Sequence, residues 1–152
     1  MTIPAILQLF LIPLVNYFAN LYGIEIIQLV CSFIYAAANV LLGMSCTAVT
    51  QTGYVSLTVP AILGFALFQA TKLVGTHQLS LRYSNRGERE KNVSKFNAAI
   101  ALGALTQPLL GSVLFYYGSF QLCFYGMALM LPILGTIMYF KLVAARDEFF
   151  AL

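Results

Sequence analysis

The most regular polar pattern of the sequence lies between residues 28 and 46. Small and polar residues recur there at intervals of three or four, in the order Gln28, Ser32, Tyr35, Asn39, Gly43 and Cys46. This spacing places them on one face of an α-helix. A comparable row follows at Gln69, Lys72 and Thr76. Amide, hydroxyl and ammonium groups on facing helices can hydrogen-bond a small organic solute, or they can join the helices to each other.

Both interpretations of these rows stay open at the level of the sequence. The first assigns the larger polar side chains to a central substrate cavity, bordered by Tyr35, Asn39, Gln69 and Lys72. The second assigns the small residues to helix–helix packing, at Ser32, Gly43, Gly64 and Gly75. Lys72 has a further alternative, because its four-carbon stem is long enough to carry the ammonium group towards the membrane surface.

The sequence contains no constellation of residues typical of an enzyme or of a metal site. His77 is the sole histidine and lacks a nearby carboxylate, while Cys31, Cys46 and Cys123 are widely spaced in apolar segments. Nucleophilic catalysis and metal binding each require such groups in combination. We therefore expect no enzymatic activity, no metal and no cofactor.

The polar rows lie in a chain that is otherwise strongly apolar. Of its 152 residues, 61% are hydrophobic and 9% are charged, whereas soluble domains are about 45–50% apolar and about 25% charged. Residues 26–71 and residues 96–140 contain no charged side chain, and each run exceeds the ~20 residues that one transmembrane helix needs. The sequence predicts an all-α, polytopic membrane helix bundle in contact with the lipid bilayer.

Each uncharged run is too long for a single helix, which would overshoot the ~30 Å hydrocarbon core. Clusters of Gly, Asn, Ser, Thr and Gln mark where the runs divide into separate helices. Five transmembrane helices are predicted within a single domain, residues 1–152, at about residues 3–19, 24–44, 54–81, 93–117 and 120–143. The strongly hydrophilic segment, residues 82–92, is predicted to be the loop between the third and fourth helices.

Basic residues are distributed unevenly between the connections. The loop after the third helix contains the basic residues Arg82, Arg86, Arg89, Lys91 and Lys95. The C-terminal end of the chain adds Lys141 and Arg146. The connections near residues 45–53 and 118–119 contain no Lys or Arg. Because basic loops stay in the cytosol, we expect the 82–95 loop and the C-terminus to be cytosolic. The net charge of +3 is then an orientation signal, and no nucleic-acid partner is expected.

The fourth predicted helix contains a motif of small residues and proline, composed of Gly103, Gln107, Pro108, Gly111 and Ser112. Small groups on one helical face let a neighbouring backbone approach closely. Pro108 cannot donate a hydrogen bond to the carbonyl of Ala104 and is expected to kink the helix. The motif resembles Gly-x-x-x-Gly-Pro-x-x-Gly-Gly, the antiporter motif of the major facilitator superfamily, with Gln107 and Ser112 in place of two of its glycines.

Two further segments are similar to motifs of this superfamily. Residues 16–24, after the first helix, resemble Gly-x-Leu-Ala-Asp-Arg-x-Gly-Arg of its loop between helices two and three, with Asn20 at the acidic position and Gly23 retained. The charged stretch that contains Arg86 and Arg89 resembles its cytosolic loop between helices four and five. The resemblance implies that Asn20, Gly23, Arg86 and Arg89 take part in gating at the cytosolic surface.

Within the superfamily the chain looks most like the vesicular amine and drug:proton antiporter branch, on its Pro-x-x-Gly segment and the turn at Gly118 and Ser119. In this register the chain corresponds to family helices two to six, a partial N-terminal half.

The resemblance implies an incomplete or diverged transporter, completed by a second membrane chain or by the missing half. It would move a small organic solute by alternating access, in exchange for protons. No carboxylate is predicted inside a span to carry the proton. The alternative function is that of a small membrane protein that binds or regulates a partner membrane protein without transport.

Overall fold

The computed structural model of the chain describes residues 2–82 and 89–150. These residues form five α-helices, α1 (Thr2–Tyr22), α2 (Ile24–Ser45), α3 (Gln51–Arg82), α4 (Arg89–Tyr117) and α5 (Phe120–Phe150). The two described ranges contain no β-strand. The all-α fold class predicted from the sequence is confirmed.

Four of the helices are long and apolar enough to cross a membrane. The segments with this property among the described residues are Ile24–Ser45, Gln51–Leu79, Val93–Tyr117 and Phe120–Ala144. α1 contributes a shorter apolar segment, Ile6–Tyr22. The length and composition of these helices are those of a polytopic membrane bundle.

All five helices are longer than the sequence predicts, and the clearest extensions are in α1, α3, α4 and α5. α3 begins at Gln51 instead of residue 54. α1 continues to Tyr22 instead of ending at residue 19, α4 begins at Arg89 instead of residue 93, and α5 continues to Phe150 instead of residue 143. Hydropathy marks only the part of a helix inside the hydrocarbon core, whereas the backbone hydrogen bonds of a helix continue in polar surroundings. The hydrophilic connection is correspondingly shorter than residues 82–92, because α3 reaches Arg82.

A single residue, Gly23, joins α1 to α2. Its φ is +90°, a backbone conformation that glycine adopts freely and other residues rarely adopt. Its N–H donates to the carbonyl of Ala19 at 3.1 Å, and its own carbonyl accepts from the N–H of Ile27 at 3.3 Å. Gly23 therefore reverses the chain while the backbone hydrogen bonds continue on both sides of the turn.

α2 packs antiparallel against α3. The contacts run in opposite directions along the two helices, pairing Gln28 with Gly75, Cys31 with Thr71, and Ala38 with Gly64. A Cβ on Gly64 would lie 2.9 Å from the Cβ of Ala38, so the glycine permits a close approach. In lipid the hydrophobic effect does not drive helices together, because their apolar side chains are already out of water. Close packing and interhelical hydrogen bonds hold the helices together instead.

α5 packs against another face of α2, also in the antiparallel direction. Tyr125, near the start of α5, lies over Gly43, and Gly135 lies against Ser32. Gln121 Nε2 donates to the carbonyl of Gly43 at 3.4 Å. α2 is therefore the central helix, held between α3 and α5.

The two remaining helices differ in how much surface they bury. α1 packs on α3 and α2 through an apolar cluster of Val15, Ala19, Ile24, Ala70 and Val74. α4 lies at the periphery, where the thiol of Cys123 in α5 donates to the carbonyl of Gly111 at 3.4 Å. Most of the described side chains of α4 are exposed.

Candidate functional site

A cavity of about 230 Å³ lies between α2 and α5. The first three turns of α2 form its polar end, through Glu25, Gln28 and Ser32. Apolar side chains of α3 and α5, among them Phe68 and Leu131, form the rest of the wall. We refer to this space as the α2–α5 cavity. Because it adjoins the start of α2 and the last turns of α5, it lies at the end of the bundle where α3 ends.

Glu25 brings a carboxylate to the polar end of the α2–α5 cavity. Of the acidic side chains that the structure describes, Glu90 is exposed on α4 and Glu25 is buried, with 5% of its surface exposed. Glu25 Oε2 lies 3.0 Å from the position that a Cβ on Gly23 would occupy. Glu25 belongs to the first turn of α2, where the helix dipole favours a negative charge.

Gln28 brings an amide to the same end of the cavity. Its side-chain atoms lie 3.6–3.7 Å from the position of a Cβ on Gly75. Its Oε1 is buried and accepts no hydrogen bond from any part of the chain that the structure describes. A buried acceptor without a donor costs about 1–3 kcal/mol, so the cavity offers an acceptor that an N–H or O–H group of a ligand can satisfy.

Ser32 and Phe68 fix the middle of the cavity wall. The hydroxyl of Ser32 donates to the carbonyl of Leu29 at 2.7 Å, which leaves its lone pairs for a donor. The ring of Phe68 is stacked on that of Tyr35, with centroids 4.3 Å apart and planes 7° apart. Packing of this kind holds the side chains in place before a ligand binds.

One comparison with known proteins decides the family. The model of the Major Facilitator Superfamily matches residues 1–151. The chain belongs to the major facilitator superfamily. No curated protein and no solved structure gives a significant match. Members of this superfamily are transporters rather than enzymes, and the chain is an integral, multi-pass membrane protein.

The four predicted cavity residues occupy different environments in this major facilitator chain. Tyr35 and Asn39 are buried, with 6% and 4% of their surfaces exposed, and Asn39 Nδ2 donates to the carbonyl of Tyr35 at 2.8 Å. Gln69 is half-buried on α3, and Lys72 is exposed there. None of the four lines the α2–α5 cavity. The structure therefore brings Tyr35 and Asn39 together on the buried side of α2 and leaves Lys72 outside.

The four residues assigned to packing all lie at close contacts of α2. Ser32 and Gly43 face α5, where Gly135 and Tyr125 approach them. Gly64 and Gly75 of α3 face α2 at Ala38 and Gln28. These contacts have the geometry that the packing interpretation requires. Ser32 also lines the α2–α5 cavity, so this residue combines a packing contact with a place in the cavity wall.

Asn20, a predicted gating residue, belongs to a group of amides that joins α1 to α3. Gln78 Nε2 donates to Asn16 Oδ1 at 2.8 Å and lies 3.4 Å from Asn20 Oδ1. We call Asn16, Asn20 and Gln78 the amide clasp. At the position where the family motif has an acidic residue, this major facilitator chain uses neutral hydrogen bonds.

The other predicted gating residues are Gly23, Arg86 and Arg89, of which Gly23 lies fully within the described part of the chain. Gly23 forms the turn between α1 and α2 and lies beside Glu25 at the cavity. Arg86 lies outside the described residues. Arg89 is the first residue of α4, and its side chain lies outside them as well.

The antiporter-like motif lies on an open side of α4. A Cβ on Gly103 or Gly111 would meet no atom within 4 Å. α4 continues through Pro108 as one helix, and the hydroxyl of Ser112 donates to the carbonyl of Pro108 at 2.8 Å. The side chain of Gln107 lies outside the described part of the chain. None of the motif residues lines the α2–α5 cavity, so the two features are separate.

Glu25 is the site residue that sequence reasoning missed. The sequence predicts no carboxylate inside a span, whereas the structure buries Glu25 as the second residue of the apolar segment Ile24–Ser45. The signal was nevertheless present, since Glu25 precedes Gln28 by three residues and so extends the polar row of α2 by one step. Phe68 and Gly135 carry no comparable signal, because only the packing of the helices brings them to the cavity.

Proposed function

We propose that the chain acts in secondary transport and moves a small organic solute across the bilayer by alternating access. The observation that carries this proposal is the α2–α5 cavity, whose polar end contains the buried side chain of Glu25 and the half-buried side chain of Gln28 in a bundle of a transporter family. Ionisable groups inside a membrane are costly, and they mark solute and ion pathways.

Proton-coupled antiport is the form of transport that we propose. Exchange of a solute for protons requires a carboxylate that alternately binds the proton and the solute. Glu25 supplies such a carboxylate at the cavity wall. The resemblance of the α4 motif to that of the vesicular amine and drug:proton antiporter branch supports the same form.

A second membrane chain, or a second half of the transporter, is the partner that we propose for α4. Gly103 and Gly111 have open space beside them, and Leu105 and Leu109 are exposed by 69% and 67%. Transporters of this kind rock one bundle against another around a site at their interface. The open side of α4 supports contact with such a second bundle.

The end of the bundle that contains the amide clasp and the α2–α5 cavity is proposed to face the cytosol. Lys91 and Lys95 lie in the first turns of α4, and Lys141 lies near the end of α5. These positions are at the same end of the bundle, because α4 and α5 are joined by a short turn at the opposite end. Basic residues flanking membrane spans favour the cytosolic side.

Solute counterflow in proteoliposomes tests the proposed transport. The chain is reconstituted into vesicles loaded with unlabelled tyramine, tyrosol or 4-hydroxyphenylacetate, which share a phenol ring and are respectively cationic, neutral and anionic. Uptake of any of the three labelled solutes above that of protein-free vesicles supports transport.

Binding of a partner membrane protein without transport is the second candidate function, and the exposure of α4 favours it. Lack of counterflow for all three solutes, together with a stable complex with another membrane protein after affinity purification, would favour this function. Gly103→Leu then provides a direct check, because a bulky side chain on the open side of α4 should release the partner and leave the fold unchanged.

A further inference from the structure

We propose that a groove between α1, α2 and α3 binds a sterol, a lipid with a flat, rigid apolar body and a single hydroxyl group. The groove has a volume of about 510 Å³, and we call it the α1–α3 groove. The buried residues Ala38 and Gly64 form its floor. Leu14 and Leu63 form its sides and are exposed by 48% and 47%. The groove therefore faces the bilayer, and its described lining residues are different from those of the α2–α5 cavity.

The two ends of the α1–α3 groove differ. Towards the amide clasp, Leu11 and Leu67 line the groove and pack against the apolar cluster that joins α1 to α3. In the opposite direction the groove reaches Pro60. Ser56 lies one turn further on the same face of α3, because residues four apart share a helical face. A lipid can therefore enter along α3 from the end of the bundle where α2 connects to α3.

Polar groups lie at the open end of the groove. Ser56 lines a recess together with Gln51 and Thr52. The hydroxyl of Ser56 donates to the carbonyl of Gly53 at 2.9 Å, which leaves its lone pairs for a donor. Pro60 lies inside α3 and has no N–H that could bond to the carbonyl of Ser56. The hydroxyl group of a lipid in the groove can therefore donate to acceptors at Ser56.

Length, charge and shape favour a sterol over a phospholipid. From Ser56 to Leu67 the groove follows α3 for about 17 Å, close to the ~15 Å of half a hydrocarbon core. Residues 1–24 and 26–71, which form its walls and its open end, contain no charged side chain, whereas basic residues attract anionic headgroups. The floor of small residues offers a smooth surface to a flat ring system. A rigid body also loses less conformational entropy on binding than a flexible acyl chain.

Photoaffinity labelling of the full chain in phosphatidylcholine nanodiscs tests the site. The probe is a cholesterol analogue with a diazirine in its ring system, and the adducts are mapped by mass spectrometry. We expect saturable labelling of residues 11–14 and 60–67, with unlabelled cholesterol as a competitor. Cholesteryl methyl ether lacks the O–H donor and should compete about threefold or more less well, and dioleoylglycerol lacks the rigid body and should not compete. Labelling that does not saturate, or equal competition by either of these lipids, would overturn the proposal.

Variants of the groove make the test specific. Ala37 lines the groove and is exposed, so Ala37→Phe should fill the groove and lower the labelling about tenfold or more. Ala101→Phe makes the same change on an exposed part of α4 and should leave the labelling unchanged. Unchanged labelling of a folded Ala37→Phe variant would overturn the proposal.

Pro60→Ala tests the contact of the hydroxyl group. The new N–H can bond to the carbonyl of Ser56, so this acceptor is lost to the lipid and the labelling should fall about threefold. Alanine is a better helix former than proline, so we expect the melting temperature to stay the same or to rise. Wild-type labelling of Pro60→Ala, with undiminished competition by cholesterol, would overturn the assigned hydroxyl contact at Ser56.

Discussion

Gly23 and Glu25 share the space at the start of α2. The positive φ of Gly23 turns the chain from α1 into α2, and Glu25 Oε2 lies beside the position that a Cβ on Gly23 would take. The turn therefore places the carboxylate at the cavity and leaves no room for a side chain between them. Turn geometry and the chemistry of the cavity depend on the same glycine.

Gly23→Ala should destabilise the protein by about 1–3 kcal/mol, the usual cost of an unfavourable backbone conformation. Circular dichroism of the purified chain in detergent would show this as a lower melting temperature. Gly111→Ala is the matched control, because its added Cβ meets open space and it should melt at the wild-type temperature or slightly above. Equal melting temperatures of Gly23→Ala and Gly111→Ala would contradict the assigned role of Gly23.

The sequence indicates the small and polar residues of the site better than it indicates their surroundings. The periodicity of α2 identifies Gln28, Ser32, Tyr35 and Asn39 as one face, because residues three or four apart share a helical face. It does not tell whether α3 or α5 covers that face. Glu25 extends this face by one step, but its place at the α2–α5 cavity follows from the packing of α5 along α2, which no local pattern contains.

At the scale of the elements, α2 is the helix against which both α3 and α5 are packed. It presents small groups to both neighbours, and each neighbour supplies a glycine at the point of closest approach, Gly64 from α3 and Gly135 from α5. Such contacts bring backbones close enough for dense packing without a hydrophobic driving force. The polar residues of α2 are thereby held inside the bundle.

Gly64→Ala and Gly135→Ala should each lower the melting temperature. The new methyl groups would meet Ala38 and Ser32, whose Cβ atoms lie 2.9 Å and 2.8 Å from the added position, and overpacking of this kind costs about 1–3 kcal/mol. Gly103→Ala has free space and removes a helical glycine, so it should be neutral or stabilising by up to about 1 kcal/mol. The packing scheme would be contradicted by a Gly103→Ala variant that melts below the other two.

The amide clasp should give a small coupling energy that does not depend on salt. A double-mutant cycle with Gln78→Leu and Asn16→Leu is expected to yield about 0.6 kcal/mol, the mean for interhelical hydrogen bonds in membranes. Neutral groups are not screened by ions, so the coupling should be equal in dilute and concentrated salt. Gln51→Leu, an exposed residue at the other end of α3, is the control. A coupling that falls with salt would indicate a charge pair in place of the clasp.

The number and order of the helices follow from hydropathy, whereas their arrangement does not. Two long uncharged runs and the polar clusters within them predict five helices, because the thickness of a bilayer limits the length of a span. The central position of α2 and the peripheral position of α4 could not be read in this way. Both helices are apolar, and only the packing of the folded chain shows that α2 lies between α3 and α5 while most described side chains of α4 are exposed.

At the scale of the whole molecule, the proposed orientation can be tested by labelling from one side of the membrane. In a chain without its native cysteines, Val49→Cys lies in the connection between α2 and α3, where Val49 is 99% exposed. A membrane-impermeant maleimide should label it in intact cells that carry the chain in their plasma membrane. Lys91→Cys, at the start of α4, should react only after permeabilisation. The reverse pattern would contradict the cytosolic assignment of the basic end.

We propose that a solute crosses the membrane through the α2–α5 cavity and that its transport depends on Glu25. The most direct measurement is counterflow of whichever solute the wild-type chain transports, compared between Glu25→Gln and Glu90→Gln in matched proteoliposomes. We expect Glu25→Gln to fold and reconstitute but to transport at least about tenfold more slowly, because a charged hydrogen-bonding group is lost. Glu90→Gln should transport like the wild type. A folded Glu25→Gln variant that transports at the wild-type rate would contradict this proposal.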